Sequence, residues 1–529
     1  MKRVLVLTAL SVLATACIDD VSPPTAPPVS ASVDQETGAT GSLGRYVAVG
    51  TSISMGWASD GVVGASQYQS WPAQLARMAG VPFNVPFLKT PGCRAPMAAP
   101  LASGVRISGE PVAIAPGAVG CSALARDAKL PLQNLAMSSA TTYEALYVTP
   151  ETRNDPFYTR LYSRIYPPNT TQLQAAFLAG PTFMSIEFGA NEVLGSRDGR
   201  AIVGVTLFPV NLWQQVYAGM VGTVRANVPQ GVVVGLIRDV SSFPAFRAGR
   251  EMWADREAFL RKFNVQVLQN CRDNPNLISV PFLVPATVAA GVAAAKQGLP
   301  PVPMSCAAGP ATAVDYVLDP TEVAIVNTQL AQMNAFIRAM AEQTGYAKFD
   351  LEVLYGMPAL KPRFSVVTLM MTGTPYSAYM SLDGFHPSAL GQNVLARAAV
   401  AAVNRRYGFA IVPTVLTAQS GDLVGQRRPL SRNVTGAPFR WRAGVAWAIL
   451  PAHAHPRLSR GPPPRRGRRD VHGGAFAPRG ASGVSRPAIR RAARLGVATH
   501  RRRRHVCLVA HGALPRGAAD ATERTHRLA

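Results

Sequence analysis

The chain has 529 residues, nearly half of them hydrophobic, which is enough for one or more buried cores, and a formal net charge of +24 at pH 7. Most of that charge lies in residues 421–529, which hold 23 arginines, no lysine and four acidic residues, whereas residues 1–420 carry only +5. Nothing in residues 1–420 therefore favours a nucleic-acid-binding protein. These residues contain one histidine, His386, and no HExxH or paired CxxC spacing, so we expect neither a metal site nor another cofactor.

An export signal is predicted at the N-terminus. The sequence MKRVLVLTALSVLATAC begins with basic residues, continues as an apolar run from Val4 to about Leu13, and ends in small residues before Cys17. The apolar run is well short of the ~20 residues that span a bilayer. The letters ATAC resemble the lipobox of bacterial lipoproteins, which implies lipidation of Cys17. Ordinary cleavage after Ala16 is the alternative.

A flexible tether is predicted for residues 18–44, which are rich in Pro, Ser, Thr and Gly and lack apolar periodicity. Several acyl chains on Cys17 would hold the protein at a membrane surface, where a single chain would give only marginal binding. We therefore expect an exported protein anchored in the cell envelope, with a folded domain over residues 45–414.

Strand-like and helical patterns alternate along that domain. Four short β-rich runs are predicted as strands, at residues 45–50 (RYVAVG), 181–189 (PTFMSIEFG), 231–239 (GVVVGLIRD) and 346–352 (YAKFDLE). Helical patterns lie between them, and a long helix is predicted to begin at Pro320. The alternation predicts an α/β fold in which a mostly parallel sheet is covered on both faces. The Pro-rich residues 298–310 are predicted as an inserted loop.

Four cysteines lie in the predicted domain: Cys93, Cys121, Cys271 and Cys306. An exported protein meets an oxidising compartment, so an even number indicates two disulfides. Proximity in the sequence favours Cys93 with Cys121 and Cys271 with Cys306, although four cysteines allow three connectivities. Unpaired, buried thiols are the alternative.

Polar residues that could carry chemistry follow the predicted strands. Ser52 follows the first strand, Asn191 follows the second, and Asp383 and His386 precede the last helix. Ligands of such sheets bind beyond the carboxyl ends of the strands. A serine hydroxyl needs a base within hydrogen-bond reach, and His386 is the one imidazole in residues 1–420. Asp383 can orient that imidazole, and Asn191 can donate its amide to an oxyanion.

The sequence resembles the SGNH (GDSL-type) serine hydrolases. The resemblance extends over residues 45–413 and rests on four blocks in the usual order, VAVGTSISMGW, NLAMSSATT, FGANEVLG and SLDGFHPSALG, of which DGFHP is the most specific. It implies a flavodoxin-like α/β/α sandwich. It also implies hydrolysis of carboxylic esters, for which the substrate is a lipid, an acylated glycan or a small ester.

The resemblance further implies a role for each site residue. Ser52 would be the nucleophile, His386 the base and Asp383 its orienting partner. The oxyanion hole would be formed by the backbone N–H groups of Ser52 and Ser139 and by the side chain of Asn191.

Three positions depart from the family pattern. Thr51 stands where aspartate is usual, Ser139 where glycine is usual, and Glu192 where aspartate is usual. The aspartate replaced by Thr51 is not a triad member, and the N–H of Ser139 is retained, although its Cβ would crowd the pocket. These departures motivate an alternative, a catalytically silent, surface-tethered carbohydrate-binding protein that keeps the fold. Taken singly, Ser52, Asn191 and His386 could also be ordinary loop or helix-start residues.

Residues 415–529 are predicted to form a disordered tail, because their runs of arginine, proline and glycine have no sustained periodicity. Such a polycation could bind anionic surfaces by charge alone. Arginine without lysine is typical of GC-rich coding sequence, and one hypothesis is that this segment is translated out of its natural frame. In a disordered tail, Cys507 would be unpaired.

Overall fold

The computed structural model of the chain describes residues 41–113 and 116–417. The predicted signal peptide with Cys17, residues 18–40 of the predicted tether, and residues 418–529 of the predicted tail with Cys507 lie outside the described residues. Leu43 is fully buried, so the folded part begins before the predicted boundary at Arg45. At the other end, the N–H of Leu416 donates to Asn393 Oδ1 (3.1 Å). Within 41–113 and 116–417, no helix combines the length and apolar character needed to cross a membrane.

The strands are short and their bounds are as follows: β1 Tyr46–Gly50, β2 Phe183–Glu187, β3 Gln230–Gly235, β4 Phe246–Ala248, β5 Val265–Val267, β6 Leu277–Ser279, β7 Val302–Met304, β8 Val317–Leu318 and β9 Ala347–Asp350. The four predicted strands correspond to β1, β2, β3 and β9. Each is shorter than its β-rich run, because the residues at the ends of the runs belong to loops or, at Glu352, to the start of a helix.

The α-helices follow in chain order: α1 Ser52–Met55, α2 Gly64–Tyr68, α3 Trp71–Met78, α4 Thr142–Tyr147, α5 Pro156–Ile165, α6 Gln172–Leu178, α7 Val210–Asn227, α8 Gly249–Ala254, α9 Arg256–Phe263, α10 Val280–Lys296, α11 Pro320–Thr344, α12 Glu352–Tyr355, α13 Val366–Met371 and α14 Ala389–Tyr407. The helix predicted from Pro320 is α11. Asp319 caps it by accepting from the N–H of Glu322 (2.8 Å).

The central sheet has the order β1-β2-β3-β9, and all three pairings are parallel. A further segment extends it beyond β1, because Asn134 forms a parallel bridge with Ala48, and the N–H of Leu135 donates to the Ala48 carbonyl (2.9 Å). In chain order the five segments then lie as 2-1-3-4-5, which is the doubly wound order of flavodoxin-like folds. The chain reverses direction across the sheet between β1 and β2.

Both faces of this sheet are covered. Side chains alternate between the two faces along a strand, yet every residue of β1 and β2 is buried. Helix α14 packs against α3 and β9, and α11 packs against α7 and β3. Trp71 and Trp213 are among the largest fully buried side chains. The predicted α/β fold with a mostly parallel, doubly covered sheet is confirmed.

Two smaller sheets lie in the segment between β3 and α11. Strands β4, β6 and β8 form an antiparallel sheet, and β5 pairs in parallel with β7. Residues 298–310, predicted as a loop, therefore contain a strand. Pro303 is tolerated there because β7 has only one partner strand and Pro303 is exposed, so its missing N–H is not needed.

Two disulfides are formed, Cys93 with Cys121 and Cys271 with Cys306. This is the pairing favoured by sequence proximity. The first disulfide joins two points of the long connection between α3 and α4. The second joins Cys271, which follows β5, to Cys306, which follows β7. Disulfides of this kind fit a protein that folds in an oxidising compartment.

Candidate active site

Ser52 is brought to the carboxyl edge of the sheet because β1 ends at Gly50 and α1 begins at Ser52 itself. The residue is buried, with 6% of its surface exposed. Its carbonyl accepts from the N–H of Trp57 (2.9 Å), which closes the short turn of α1. Within the described part of the chain, the N–H of Ser52 has no backbone or side-chain acceptor, as expected at the first position of a helix.

His386 meets Ser52 across 334 positions of sequence. The distance from His386 Nε2 to Ser52 Oγ is 2.9 Å, and the distance from His386 Nδ1 to Asp383 Oδ2 is also 2.9 Å. The hydroxyl, the imidazole and the carboxylate therefore form a continuous hydrogen-bonded chain. If Asp383 accepts from Nδ1–H, the neutral tautomer leaves Nε2 free to accept the serine proton.

A tight turn over residues 381–386 produces the three-residue spacing of Asp383 and His386. The N–H of Ser381 donates to the His386 carbonyl (2.9 Å), and Asp383 Oδ1 accepts from the N–H groups of Phe385 and His386 (2.9 Å each). Gly384 has φ +67°, and a Cβ there would lie 2.8 Å from the Tyr376 ring. Only glycine satisfies both conditions easily.

The Asp383 carboxylate is held ionised by its surroundings. Burial by itself disfavours the charged form. The neighbouring His386 and the hydrogen bonds from His386 and the Asp60 N–H outweigh burial and lower the pKa of Asp383 to about 2. Asp383 is therefore charged at neutral pH, and it can stabilise an imidazolium on His386.

A second turn, at Ser59 and Asp60, also supports Asp383. The N–H of Asp60 donates to Asp383 Oδ2 (2.7 Å), and Ser381 Oγ bridges Asp383 Oδ1 (3.1 Å) and the N–H of Ser59 (2.9 Å). Ser59 and Asp60 both have positive φ, 52° and 56°. The buried Arg106 holds this conformation by donating to the Asp60 carbonyl (3.0 Å) and to Asp60 Oδ2 (2.7 Å).

Ser139 and Asn191 lie together on the adjoining loops. Ser139 has φ +61°, in the left-handed region, which explains why glycine suits this position. Asn191 Nδ2 donates to the Ala140 carbonyl (2.8 Å), and the second N–H of that amide has no protein acceptor among the described residues. The N–H of Ser139 likewise has none there. The Met137 N–H donates to the Gly50 carbonyl (3.0 Å), which fixes this loop beside the start of α1.

Glu192 links the second and third sequence blocks. Its Oε1 accepts from both the N–H and the hydroxyl of Thr142 (2.7 Å each). Burial raises the pKa of Glu192, although these hydrogen bonds favour its charged form. The longer side chain, one methylene more than aspartate, thus reaches a defined partner at the start of α4.

Glu187, the last residue of β2, lies beneath α1 and has no role in the sequence-based predictions. Its carboxylate accepts from the N–H (3.0 Å) and hydroxyl (2.8 Å) of Thr51 and from the hydroxyl of Ser54 (3.0 Å). Thr51 therefore serves as a donor to a buried acid. Burial raises the pKa of Glu187 to about 7, against the effect of these hydrogen bonds.

Some of the residues that the sequence analysis did not select stand in recognisable local patterns, and others do not. Glu187 is an acid at the end of an apolar strand run, a position where an acid needs a buried partner. Asp60 precedes Gly61 in a pair typical of tight turns. Arg106 had no local signal, because its ion-pair partner Asp60 lies 46 residues earlier in the chain.

The elevated pKa of Glu187 predicts a specific pH dependence of stability. Between about pH 4.5 and 7 the carboxyl is protonated in the folded state and ionised in the unfolded state, so the free energy of unfolding falls as pH rises. The shift corresponds to roughly 3 kcal/mol. Glu187→Gln removes this contribution, so between pH 5 and 8 it should lose about 2–3 kcal/mol less stability than the wild type.

Denaturant unfolding at pH 5 and pH 8, with the disulfides intact, measures this difference. Glu257→Gln is the matched control, because the Glu257 side chain is 64% exposed on the surface of α9. Parallel stability curves for the wild type and Glu187→Gln would contradict the prediction.

Neither a family model nor a curated protein sequence matches this chain. Among solved structures, it is similar to an acetyl-xylooligosaccharide esterase from Geobacillus Stearmophilus, with 11% identity and a TM-score of 0.29 over 70% of this chain and 96% of the other. It is also similar to an extracellular lipase from Streptomyces rimosus (13%, TM-score 0.26) and a phospholipase A1 from Streptomyces albidoflavus NA297 (13%, TM-score 0.28). Each of these two similarities covers 68% of this chain and 98% of the other. Similarities at this level do not by themselves assign an activity.

Proposed function

We propose that this protein is a serine esterase that hydrolyses carboxylic esters through an acyl-enzyme, with Ser52 as nucleophile, His386 as base and Asp383 as the group that orients His386. The observation that carries the proposal is the pair of 2.9 Å contacts joining Ser52 Oγ, His386 and Asp383. These residues lie at the carboxyl edge of the parallel sheet, beside the point between β1 and β2 where the strand order reverses. That is where ligands bind in folds of this order.

The first half-reaction forms the acyl-enzyme. Ser52 Oγ attacks the ester carbonyl carbon while its proton passes to His386 Nε2, and the carbonyl oxygen becomes an oxyanion. His386 then gives the proton to the leaving alkoxide as the carbon–oxygen bond breaks. The imidazolium formed in between is stabilised by the ionised Asp383.

The second half-reaction restores the serine. Water attacks the acyl carbon and gives a proton to His386, the bond to Ser52 Oγ breaks, and the proton returns to that oxygen. Both tetrahedral intermediates would be stabilised by the N–H groups of Ser52 and Ser139 and by the free N–H of Asn191. The chemistry requires no cofactor.

The alternative of a silent carbohydrate-binding protein was motivated by Thr51, Ser139 and Glu192. Each of these side chains has a defined partner: Thr51 donates to Glu187, Ser139 accepts from Arg153, and Glu192 accepts from Thr142. The departures are therefore accommodated locally without displacing Ser52 or His386. No contact in the described residues favours the alternative.

We also propose that the enzyme acts outside the cytoplasm, held at a membrane by lipid on Cys17. The support is the lipobox-like ATAC sequence together with the two disulfides. The substrate would then be a lipid, an acylated glycan or a small ester of the envelope. Intact mass measurement of the membrane-extracted protein tests the anchor, since ordinary cleavage would leave no acyl mass on Cys17.

A fluorophosphonate probe tests the nucleophile directly. The folded wild type should become labelled at Ser52 alone and should hydrolyse short aryl esters, because the probe reacts only with an activated serine hydroxyl. Peptide mapping locates the adduct, and heat-denatured protein is the control for nonspecific reaction. Absence of label on Ser52 together with no ester turnover would exclude the esterase.

A further inference from the structure

Ser139 carries a side chain in a backbone conformation that suits glycine. Its φ of +61° is unfavourable for residues with a Cβ, so something outside the local sequence must favour it. In the proposed mechanism the N–H of Ser139 faces the oxyanion, and its direction depends on this backbone conformation. A small rotation of the peptide would point the N–H away.

Arg153 provides a contact that holds the Ser139 side chain. Arg153 Nη2 donates to Ser139 Oγ (3.2 Å), and Arg153 Nη1 forms an ion pair with Glu144. The guanidinium carbon lies 5.0 Å from the centroid of the Tyr158 ring and 5.7 Å from that of Tyr162. A guanidinium can satisfy such a planar set of partners, and a lysine ammonium cannot.

Arg153 is itself held in place on both sides. Its N–H donates to the Thr149 carbonyl (3.2 Å), and its carbonyl accepts from the Thr159 hydroxyl (2.6 Å). Its side chain is mostly buried, with 16% exposed. The guanidinium therefore approaches Ser139 from a fixed position.

The two residues that follow Ser139 are fixed by other side chains. Asn191 holds the Ala140 carbonyl (2.8 Å), and Glu144 Oε2 accepts from the N–H of Thr141 (3.0 Å). Because Glu144 also pairs with Arg153, the cap of α4 and the Ser139 contact belong to one network. The segment from Ser139 to Thr141 is thus fastened at each residue.

We propose that Arg153 is a positioning residue that keeps Ser139 in the left-handed conformation, so that the Ser139 N–H is directed at the oxyanion. This inference rests on the proposed esterase function. Arg153 does not touch the reacting atoms, and its effect passes through the serine hydroxyl. The hydrogen bond from Arg153 to Ser139 thus stabilises a backbone conformation that glycine would adopt without such support.

The proposal predicts that glycine at position 139 makes Arg153 dispensable. Arg153→Met should lower kcat for a short aryl ester about tenfold to a hundredfold with KM nearly unchanged, since loss of one whole oxyanion donor costs about 10²–10³ in kcat. In Ser139→Gly, adding Arg153→Met should change kcat by less than about threefold. A role of Arg153 in packing alone would not be rescued by glycine at position 139.

Five variants and a control complete the experiment: Arg153→Met, Arg153→Lys, Ser139→Gly, the two double variants that combine Ser139→Gly with each Arg153 substitution, and Arg261→Met. Arg261 pairs with Glu257 on the exposed surface of α9, and its replacement should leave kcat unchanged. Thermal unfolding checks that each variant is folded. If Arg153→Met does not fold, Arg153→Lys keeps a charge for Glu144, should lower kcat less, and should also be rescued by Ser139→Gly.

The outcomes separate this inference from the function on which it rests. An active wild type whose kcat is unchanged by Arg153→Met, or lowered equally with serine and with glycine at position 139, overturns the positioning role alone. A wild type with neither ester turnover nor fluorophosphonate label overturns the esterase, and the positioning role falls with it.

Discussion

Ser52→Ala is expected to reduce kcat for ester hydrolysis by about 10⁴–10⁶, because it removes the atom that forms the acyl-enzyme and leaves only the oxyanion donors and binding contacts. KM should change little, since the hydroxyl contributes little to binding of the ester. Initial rates with short aryl esters, measured over a range of substrate concentrations at a known enzyme concentration, give both constants.

Folding must be unaffected for this result to bear on mechanism. The alanine loses one hydrogen bond to His386 and no larger contact, so its thermal unfolding midpoint should stay close to that of the wild type. Ser163→Ala, on the exposed surface of α5, is the matched control and should retain full activity. Substantial ester turnover by folded Ser52→Ala would contradict the assignment of the nucleophile.

Asp383→Asn should have the second-largest effect, a loss of about 10³–10⁴ in kcat. The amide is similar in size but carries no charge, so it cannot stabilise the imidazolium. It can also donate to Nδ1, which favours the tautomer that has its proton on Nε2 and cannot accept from Ser52. Rates across pH 6 to 9 and the fluorophosphonate labelling rate at Ser52 should fall together.

The pKa of Asp383 also fixes the sign of an effect on stability. Because its pKa is about 2 in the folded protein, below its ordinary value, it adds to the free energy of unfolding at neutral pH, and this contribution is lost as pH falls from about 4 to 2. Asp383→Asn should therefore weaken the acid-induced loss of stability. Asp273→Asn is the control, since the Asp273 side chain is 91% exposed. If folded Asp383→Asn kept the kcat of the wild type, Asp383 would have no role in the mechanism.

Much of the fold could be predicted from the sequence because its signals are local. The four β-rich runs became β1, β2, β3 and β9, and the apolar pattern after Pro320 became α11. The periodicity and the capping residues of each such run are enough to specify a strand or a helix. The prediction failed at residues 298–310, where β7 forms because β5 lies beside it.

The residues of the candidate site also fall into those that the sequence predicts and those that it does not. Ser52, Asp383 and His386 could be chosen from sequence because a histidine that is unique in residues 1–420 lies three positions from an aspartate, within recognisable blocks. The roles of Glu187, Asp60 and Arg106 could not, since each bonds to a partner far along the chain. The role of Arg153 could not either, since no local pattern pairs it with Ser139 or Glu144. Burial and hydrogen-bond partners arise only when segments pack.

The order of residues by itself determined which segments become strands and helices, and which hydroxyl, imidazole and carboxylate are available for chemistry. Only the tertiary structure decided that Ser52 Oγ and His386 Nε2 lie 2.9 Å apart and that Glu187 is a buried acid beneath α1. It also decided that Arg153 donates a hydrogen bond to Ser139 Oγ. The physical reason is that these interactions act over different distances along the chain. Backbone preferences act over a few residues, whereas hydrogen bonding, desolvation and charge depend on neighbours that only the folded chain brings together.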